Sequence, residues 1–491
     1  MFSRTNNQIF KKYLLASLIS LSLFDIESAR SELTPEKLRD KISTLIVADR
    51  DNVSVRVERL DYDGPLLSIN ETRPLNPASV MKLVTTKVAI DVLGLDFRWS
   101  TQVWRTGEVV NQSLVGDLYF IGGGDPTLDI ERFREILEDI KAQGINNIQG
   151  NIYVDRSRFS TPYHNPKTFD EAPTRPYNAG PDALLINENK FSLTFTPHPS
   201  DQSVLIASTP SLGKLVNELR LGSGTCVAWP KHPATTERLV IFKGDFHESC
   251  GQKKWEYRFL NHQEYFANAF SVIWSELGGE HKGYILESKT PPEAVLLGAY
   301  ISEPITAAVR KINKESSNVM ARHLFLQLSQ HTHQGNHLHN ARGVINKWAV
   351  ENGLDTSNLF VDNGSGLSRY GRVTTEFIAG VLRRAWTDPS MPEFVSSLSI
   401  PGVDGTLENK FVLTPLASRS HIKTGFLKNV RAIAGYIHHE SGQVLSVVII
   451  VNGDTLAKEG NLADKILQLI ANTDWSLETQ SSHASESIAV R

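Results

Sequence analysis

The sequence predicts an α+β protein built from more than one domain. At 491 residues the chain is longer than a single domain usually is. Helical patterns lie towards both ends, whereas short strands and turns dominate from about Phe97 to residue 246. Composition is that of an ordinary globular protein, with 40% hydrophobic and 21% charged residues. The formal net charge of −3 and the lack of a long basic run predict no nucleic-acid partner.

The elements follow in order along the chain. A helix is predicted over residues 34–47, and a hairpin joins strands 52–60 and 65–70 around a turn at 61–64. The strand candidates of the middle region are 99–110, 113–124, 146–155, 190–197, 203–209 and 238–246. The other predicted helices are 130–143, 263–277, 305–330 and 462–471, and the other predicted strands are 295–302 and two that flank a turn at 440–442.

The two ends of the chain are predicted to lie outside the fold. Arg4, Lys11 and Lys12 precede an apolar stretch over residues 13–24, which is short for a membrane span and is followed by polar residues. This order predicts a secretory signal peptide over residues 1–29, with an uncleaved anchor as the alternative. The polar tail 476–491 is predicted to be disordered.

Two cysteines and a group of histidines bear on cross-links and metals. In an exported chain Cys226 and Cys250 can form a disulfide that closes a local loop, and two free thiols are the alternative.

His333 and His337 would share a helix face and could hold zinc, but no carboxylate or cysteine joins them or the neighbouring His331 and His339. We therefore predict neither a metal site nor a cofactor.

The segment 76–82 places a serine and a lysine one helical turn apart. Asn76 suits a helix N-cap and Pro77 a first helical residue, so Ser79 is expected in the first turn with Lys82 on the same face. A lysine in an apolar pocket can lose its proton and activate a serine hydroxyl as a nucleophile. The spacing alone is weak, because it recurs at Ser211/Lys214 and Ser420/Lys423.

Three further segments carry side chains that suit the same chemistry. Ser316 and Asn318 form a Ser-x-Asn at a helix start, where a second hydroxyl could relay a proton and an amide could hold a substrate. Lys423, Thr424 and Gly425 form the chain's one Lys-Thr-Gly, which suits the binding of a terminal carboxylate. The glycine-rich loop 361–369 is either a tight surface loop or part of the substrate site.

The order of these motifs resembles that of the penicilloyl serine transferases. The surrounding residues are similar to those of the D-alanyl-D-alanine carboxypeptidase/endopeptidase family, the class C low-molecular-weight penicillin-binding proteins, from about residue 35 to 472. The similar segments read PLNPASVMKLVTT, GDLYFIGGGDPTL, SSNVMARHLF, DNGSGLSRYGRVT, PGVDGTL and HIKTGFLKNVRAIAGY.

The resemblance implies a transpeptidase-like, β-lactamase-like core with an antiparallel sheet flanked by helices. The interval between Lys82 and Ser316 is longer than this core needs, so inserted β-rich domains are expected there. The expected boundaries are 30–95 and 291–475 for the discontinuous catalytic domain, 96–180 and 256–290 for inserted domain II, and 181–255 for inserted domain III.

The resemblance also implies a role for each candidate residue. Ser79 would be the nucleophile, Lys82 the base and Ser316 the proton relay, with the oxyanion held by the backbone N–H groups of Ser79 and Phe426. Asn318 and Lys423 would complete the catalytic set, Asn318 by holding the acyl-side amide and Lys423 by holding the terminal carboxylate. The other residues expected to bind substrate are Thr424, Gly425 and Phe426, with Arg369 for a diaminopimelate carboxylate, Lys428 for stem-peptide preference and Phe191 from the middle region.

The implied activity is cleavage of the terminal D-Ala-D-Ala bond of peptidoglycan stem peptides (carboxypeptidase) and of D-Ala–diaminopimelate cross-links (endopeptidase), in the periplasm or cell-wall space. β-Lactams are the implied covalent inhibitors, weak membrane or cell-wall association is allowed, and the oligomeric state is open. A serine β-lactamase is the enzymatic alternative, although its usual deacylating tyrosine or glutamate is not found. A non-catalytic scaffold is the other alternative, although Ser79, Lys82, Ser316 and Lys423 are all retained.

Overall fold

The computed structural model describes residues 33–212, 215–226, 233–236, 239–331, 336–453 and 462–476. The predicted signal peptide and nearly all of the predicted tail lie outside these residues. So does His333, which was considered with His337 as a zinc ligand. Among the described helices none has the length and apolar character to cross a bilayer.

The helices and strands are numbered here in chain order. The helices are α1 Pro35–Leu45, α2 Met81–Leu93, α3 Ile130–Ala142, α4 His262–Glu276, α5 Ile305–Lys314, α6 Asn318–Gln327, α7 His337–Glu351, α8 Thr375–Thr387, α9 Met391–Ser396 and α10 Leu462–Ala471. The strands are β1 Val53–Arg59, β2 Pro65–Ile69, β3 Ser100–Arg105, β4 Glu108–Val110, β5 Ser113–Val115, β6 Leu118–Ile121, β7 Asn147–Ile148, β8 Ile152–Asp155, β9 Phe191–His198, β10 Ser203–Thr209, β11 Leu215–Gly222, β12 Ala234–Thr236, β13 Leu239–His247, β14 Lys253–Tyr257, β15 Glu280–His281, β16 Ile285–Glu287, β17 Val295–Ile301, β18 Ser420–Leu427, β19 Val430–His438 and β20 Val444–Asn452.

A five-stranded antiparallel sheet in the order β18-β19-β20-β1-β2 organises the two ends of the chain. Side chains alternate between its two faces, as the pleat of a strand requires. Val448 and Ile450 of β20 join the cluster that packs α2 and α5 to α9 on one face. Val447 and Ile449 join the cluster that packs α1 and α10 on the other. The sheet is therefore buried on both sides, and β18 forms one of its edges.

The predicted helices at 34–47, 130–143, 263–277 and 462–471 are confirmed within a few residues, as is the first hairpin. Two details were wrong. The predicted helix 305–330 is broken, because α5 ends at Lys314 and Ser316 takes a left-handed φ of 62° before α6 begins. Pro77 is not the first helical residue, because a short 3-10 turn over Ala78–Val80 precedes α2.

The strand-rich middle of the chain packs around one apolar cluster. A sheet in the order β16-β8-β6-β3-β17 and a smaller one in the order β15-β7-β5-β4 share that cluster with α3 and α4. The sheets β10-β9-β14 and β11-β13-β12 contribute to the same cluster, which therefore includes residues from both expected inserted domains. The Sγ atoms of Cys226 and Cys250 are bonded, and this closes a loop that begins at the end of β11.

The buried sheet gives a test of where stability resides. Leu445→Ala in β20 removes a fully buried side chain, so we expect the free energy of unfolding to fall by about 2–5 kcal/mol. The same substitution at Leu413, which is 98% exposed, should change it by less than about 0.5 kcal/mol. Urea unfolding followed by circular dichroism measures both. Equal losses in the two variants would contradict the assignment of Leu445 to the core.

Candidate active site

Ser79 is presented by a strained turn at the start of α2. The Asn76 side chain accepts a hydrogen bond from the Ala78 N–H at 2.9 Å and donates one to the Ser368 carbonyl at 2.8 Å. Ala78 is buried and has a left-handed φ of 46°, which is unusual for a residue with a Cβ. Ser79 follows at the helix start and stays partly exposed. The turn thus directs one hydroxyl out of an otherwise buried segment.

The Lys82 amine contacts three oxygens inside the protein. Nζ lies 2.8 Å from Ser79 Oγ, 2.6 Å from Asn318 Oδ1 and 2.6 Å from the Ser365 carbonyl. The amide and carbonyl oxygens can only accept, whereas the Ser79 hydroxyl can also donate. A neutral amine has two N–H bonds and one lone pair, so it satisfies all three contacts when the serine donates to it.

The surroundings of Lys82 favour that neutral form. Burial lowers the pKa of the Lys82 amine well below its ordinary value, and the positive charges of Lys423 and Arg322 lower it further. In the described part of the chain no carboxylate forms an ion pair with Lys82 to oppose these effects. The geometry and the charge distribution therefore both suit a base.

Ser316 and Lys423 form the second hydroxyl–amine pair of the site. Lys423 Nζ donates to Ser316 Oγ and to the Thr424 carbonyl, each at 2.9 Å. Burial lowers the pKa of Lys423 to about 7, so its charge changes near neutral pH. Ser316 is held in its left-handed conformation between α5 and α6, which turns the chain so that Asn318 can begin the next helix.

The edge strand β18 runs against the Ser79 turn. A Cβ on Gly425 would lie 2.6 Å from the Pro77 carbonyl oxygen and 3.1 Å from both Ala78 Cβ and the Ser79 nitrogen. Only a residue without a side chain allows this approach. The Ser79 nitrogen thereby lies beside Gly425 of β18, the residue before Phe426.

The glycine-rich loop 361–369 closes the site from behind. Gly366 has a left-handed φ of 76°, and a Cβ there would lie 1.8 Å from the Ala78 carbonyl oxygen. The same loop supplies the Ser365 carbonyl that accepts from Lys82. Of the two interpretations of this loop, the structure supports the one in which it lines the site.

A segment of the strand-rich middle forms an outer wall. Phe169 and Tyr177 pack against a small apolar cluster that includes Ala78 and Leu427. The Arg369 guanidinium lies over the Phe169 ring, with its carbon 4.6 Å from the ring centroid. Tyr177 Oη donates to Asp170 Oδ2 at 2.7 Å. Arg369 and Asp170 are therefore both attached to this wall, Arg369 through the Phe169 ring and Asp170 through Tyr177.

The same region contains a wide cleft. It has a volume of about 700 Å³ and its walls are Ser316–Asn318 on one side and residues of the middle segments on the other. Glu188 accepts a hydrogen bond from Ser317 Oγ, and Ser317 Oγ in turn caps α6 through the Met320 N–H at 3.2 Å. The inserted segments thus contact the Ser-x-Asn turn directly.

The sequence matches the profile of the D-Ala-D-Ala carboxypeptidase 3 (S13) family over residues 38–473. The chain belongs to this family. The family predicted from the motifs is therefore confirmed.

Individual relatives and solved structures agree with the family match. The D-alanyl-D-alanine carboxypeptidase DacB of Haemophilus influenzae is 24% identical over 416 residues, which are 82% of this chain and 85% of that protein. The D-alanyl-D-alanine carboxypeptidase of Actinomadura sp. (strain R39) is 26% identical over 412 residues, 77% of this chain and 73% of that protein. The crystal structure of penicillin binding protein 4 (dacB) from Haemophilus influenzae has a TM-score of 0.71 at 23% identity, covering 84% of this chain and 93% of that one. That protein has also been solved in complex with a β-lactam. The structural likeness confirms the predicted fold class.

The structure brings Ser79, Lys82 and Asn318 into contact and pairs Ser316 with Lys423. Three more of the predicted residues lie along β18 and in the turn after it. Thr424 Oγ1 is 3.1 Å from Thr406 Oγ1. Phe426 is 68% exposed, and its ring centroid is 3.6 Å from the Arg431 guanidinium carbon. Lys428 lies exposed in the turn between β18 and β19.

Phe191 requires a correction, because it is fully buried and packs on Phe259 and Tyr265. It begins β9, whose alternate residues face the apolar cluster of the middle region, so its ring is not available to a substrate.

Sequence reasoning missed several side chains that border the site. Asp170 and Tyr177 lie in a loop without a periodic pattern, so nothing in the sequence linked them to Arg369. Arg322 follows Asn318 by four residues on the same helix, and this spacing could have drawn attention to it. Among the described residues no group of His, Cys, Asp and Glu side chains suits a metal ion.

The close approach of β18 gives a direct test of the site geometry. Gly425→Ala should lower the rate of cleavage of a D-Ala-D-Ala peptide at least about tenfold, because the new Cβ meets the Pro77 carbonyl and pushes β18 away from Ser79. Gly343→Ala is the matched control, since a Cβ there meets nothing within 4 Å in α7. Its activity should be unchanged. A fully active Gly425→Ala protein would contradict the described packing.

Proposed function

We propose that this protein is an exported serine D,D-peptidase of peptidoglycan maturation that works through an acyl-enzyme on Ser79. One observation carries the mechanism. The buried Lys82 amine contacts the Ser79 hydroxyl at 2.8 Å, and its other two contacts are groups that can only accept a hydrogen bond. Its lone pair is then free for the serine proton.

In the acylation step Ser79 Oγ attacks the carbonyl carbon of the penultimate D-alanine. Lys82 takes the hydroxyl proton as the new C–O bond forms. The oxyanion is stabilised by the N–H groups of Ser79 and Phe426. The close approach of Gly425 to the Ser79 nitrogen supports this assignment, because Phe426 is the next residue of β18. Each such donor typically contributes about 3 kcal/mol to transition-state stabilisation.

Collapse of the tetrahedral intermediate breaks the peptide C–N bond. Ser316 passes a proton to the leaving amine, and its contact with Lys423 at 2.9 Å supports this relay role. Lys82 then gives the proton that it took from Ser79 to the Ser316 hydroxyl, so both residues return to their starting protonation states. A water molecule then attacks the ester, and its hydroxyl group and proton go to the acyl carbon and to Ser79, which frees the enzyme.

Substrate binding is assigned to residues on both sides of Ser79. Asn318 holds the amide on the acyl side, and Lys423 with Thr424 holds the terminal carboxylate. Phe426 contributes its backbone N–H and not its ring, which stacks on the Arg431 guanidinium. Lys428 stands in the exposed turn after β18, where it influences which stem peptide is preferred.

The outer wall suits a side chain that carries both charges. Arg369 would bind the carboxylate of the diaminopimelate side chain, and Asp170 its ammonium group. The stacking of Arg369 on Phe169 supports the first assignment, and the hydrogen bond from Tyr177, which orients the Asp170 carboxylate, supports the second. The cleft of about 700 Å³ beside Ser316 leaves room for a branched polymer substrate, which supports endopeptidase action on cross-links in addition to carboxypeptidase action.

Export to the periplasm or cell-wall space completes the proposal. The pattern of residues 1–29 supports it, and so does the bond between Cys226 and Cys250, because disulfides persist in oxidising compartments. Covalent inhibition by β-lactams follows from the same serine chemistry and is supported by the β-lactam complex of the Haemophilus influenzae relative. A β-lactamase would instead turn penicillin over rapidly.

The nucleophile assignment is tested with purified muropeptides and mass spectrometry. Ser79→Ala should lower cleavage by at least about a thousandfold, because it removes the hydroxyl that forms the acyl-enzyme. Ser211→Ala, at one of the chance Ser-x-x-Lys spacings, should keep full activity. Loss of one alanine from pentapeptides marks carboxypeptidase action, and splitting of cross-linked dimers marks endopeptidase action. A fully active Ser79→Ala protein would falsify the mechanism.

The pH dependence tests the carboxylate-binding role of Lys423. The protonated amine binds the substrate carboxylate, and with its pKa lowered to about 7 it loses its charge as the pH rises through that value. We therefore expect KM to increase above about pH 7 for a peptide ending in D-Ala-D-Ala. A peptide whose terminal carboxylate is amidated lacks this interaction, so its KM should not follow the same titration. Parallel profiles for the two peptides would exclude the role.

A further inference from the structure

Arg322 lies one helical turn beyond Asn318 on α6. The two side chains are four residues apart and share a face of the helix. Asn318 Oδ1 is 2.6 Å from Lys82 Nζ, so the same face points towards the amine. Arg322 is buried and belongs to the segment SSNVMARHLF, but it is not one of the residues of the Ser-x-Asn motif itself. It is therefore a permanent charge placed near the proposed base.

The Arg322 guanidinium is held by backbone carbonyls of the middle segment. Nη1 donates to the Ala179 carbonyl at 2.7 Å and to the Tyr177 carbonyl at 3.4 Å. Among the described residues no carboxylate lies within 4.0 Å of the guanidinium, and the more distant Asp362 only partly offsets its burial. Burial lowers the pKa of Arg322 to about 10, so it remains charged at neutral pH.

This arrangement differs from that of buried cations elsewhere in the chain. Two of them pair with carboxylates, as burial of a charge requires in most proteins: Lys87 with Asp91 and Asp388, and Lys314 with Asp404. Arg322, Lys82 and Lys423 form no such ion pair within the described ranges, and the three converge on the site. An unpaired cation raises the local potential, and this opposes protonation of its neighbours.

The other groups that face this region do not cancel the effect. Lys423 approaches Lys82 from β18, and Ser79, Asn318 and the Ser365 carbonyl are neutral. Beside Arg322, the pKa values of His164 and His323 are lowered to about 4, mainly by burial. Both imidazoles are therefore neutral near pH 7, and within the described ranges the carboxylate that acts on Arg322 is that of Asp362.

We propose that Arg322 is a positioning residue that keeps the Lys82 amine unprotonated, and that the segment 177–179 fixes it there through its carbonyls. The inference rests on the proposed role of Lys82 as the base. It gives the inserted part of the chain an electrostatic share in catalysis, because the groups that anchor Arg322 belong to that part. Arg322 itself contacts neither the substrate nor the reacting atoms.

The test measures the pH dependence of acylation by a fluorescent penicillin in the full-length protein. Acylation needs neutral Lys82, so its second-order rate constant rises with pH through the pKa of that amine. Arg322→Gln keeps a donor for the carbonyls but removes the charge, which raises the pKa of Lys82. We expect the rising limb to move up by about one pH unit, so that acylation below it falls about tenfold. Arg322→Lys keeps the charge and should leave the limb in place.

Folding is monitored for each variant by circular dichroism and thermal unfolding. Arg322→Met is a second neutral variant, because an apolar side chain tolerates burial better than an amide does. A shift of the limb in either folded neutral variant, with none in Arg322→Lys, supports the inference. A uniform loss of rate at every pH, or an unmoved limb, overturns it and leaves Arg322 a structural residue.

Failure of the proposed function would look different. In that case Lys82→Ala would still be acylated at the normal rate, and the wild-type protein would show no rising limb at all. A wild-type limb that vanishes in Lys82→Ala, combined with unchanged profiles in the Arg322 variants, would remove the inference and keep the mechanism.

Discussion

The hydrogen bonds of one buried amine set the requirements for the rest of the molecule. The Lys82 amine must be buried from solvent, must donate hydrogen bonds to two oxygens that can only accept, and must contact the Ser79 hydroxyl at the same time. Three segments far apart in sequence supply these partners: the turn before α2, the start of α6 and the loop 361–369. A sheet buried on both faces and a helix buried nearly all round provide the rigid frame that keeps them within hydrogen-bonding distance.

Helix α6 connects this frame to the inserted segments. Ser317 at its N-cap contacts Glu188, and His323 accepts from the Asp182 N–H at 3.1 Å. Farther along, Gln327 accepts from Arg158 at 3.1 Å. Contacts with the middle of the chain therefore recur along the whole helix. The inserted segments act as a mount for the helix that carries the Ser-x-Asn motif, in addition to forming the outer wall of the site.

The chemistry of the site could be predicted because it resides in short motifs, whereas its walls could not. Ser79 and Ser316 sit in local patterns that survive without knowledge of the fold. No glycine or proline marks the break before α6, so the apolar pattern of 305–330 predicted a continuous helix and not the left-handed Ser316. Phe191 was misassigned although β9 alternates strictly, and that alternation already pointed its ring inward. Asp170 and Arg322 acquire meaning only from contacts between distant segments.

The left-handed alanine before Ser79 links local strain to the exposure of the nucleophile. A glycine at position 78 would adopt the same φ without strain, typically a difference of about 1 kcal/mol. The methyl group of Ala78 nevertheless packs in the small apolar cluster with Leu367 and Leu427. Removing it would loosen the joint between the serine turn and β18. Backbone strain at position 78 therefore favours glycine, whereas the packing that holds the Ser79 hydroxyl in place favours alanine. A glycine at this position would relieve the strain at the cost of a less precisely held nucleophile.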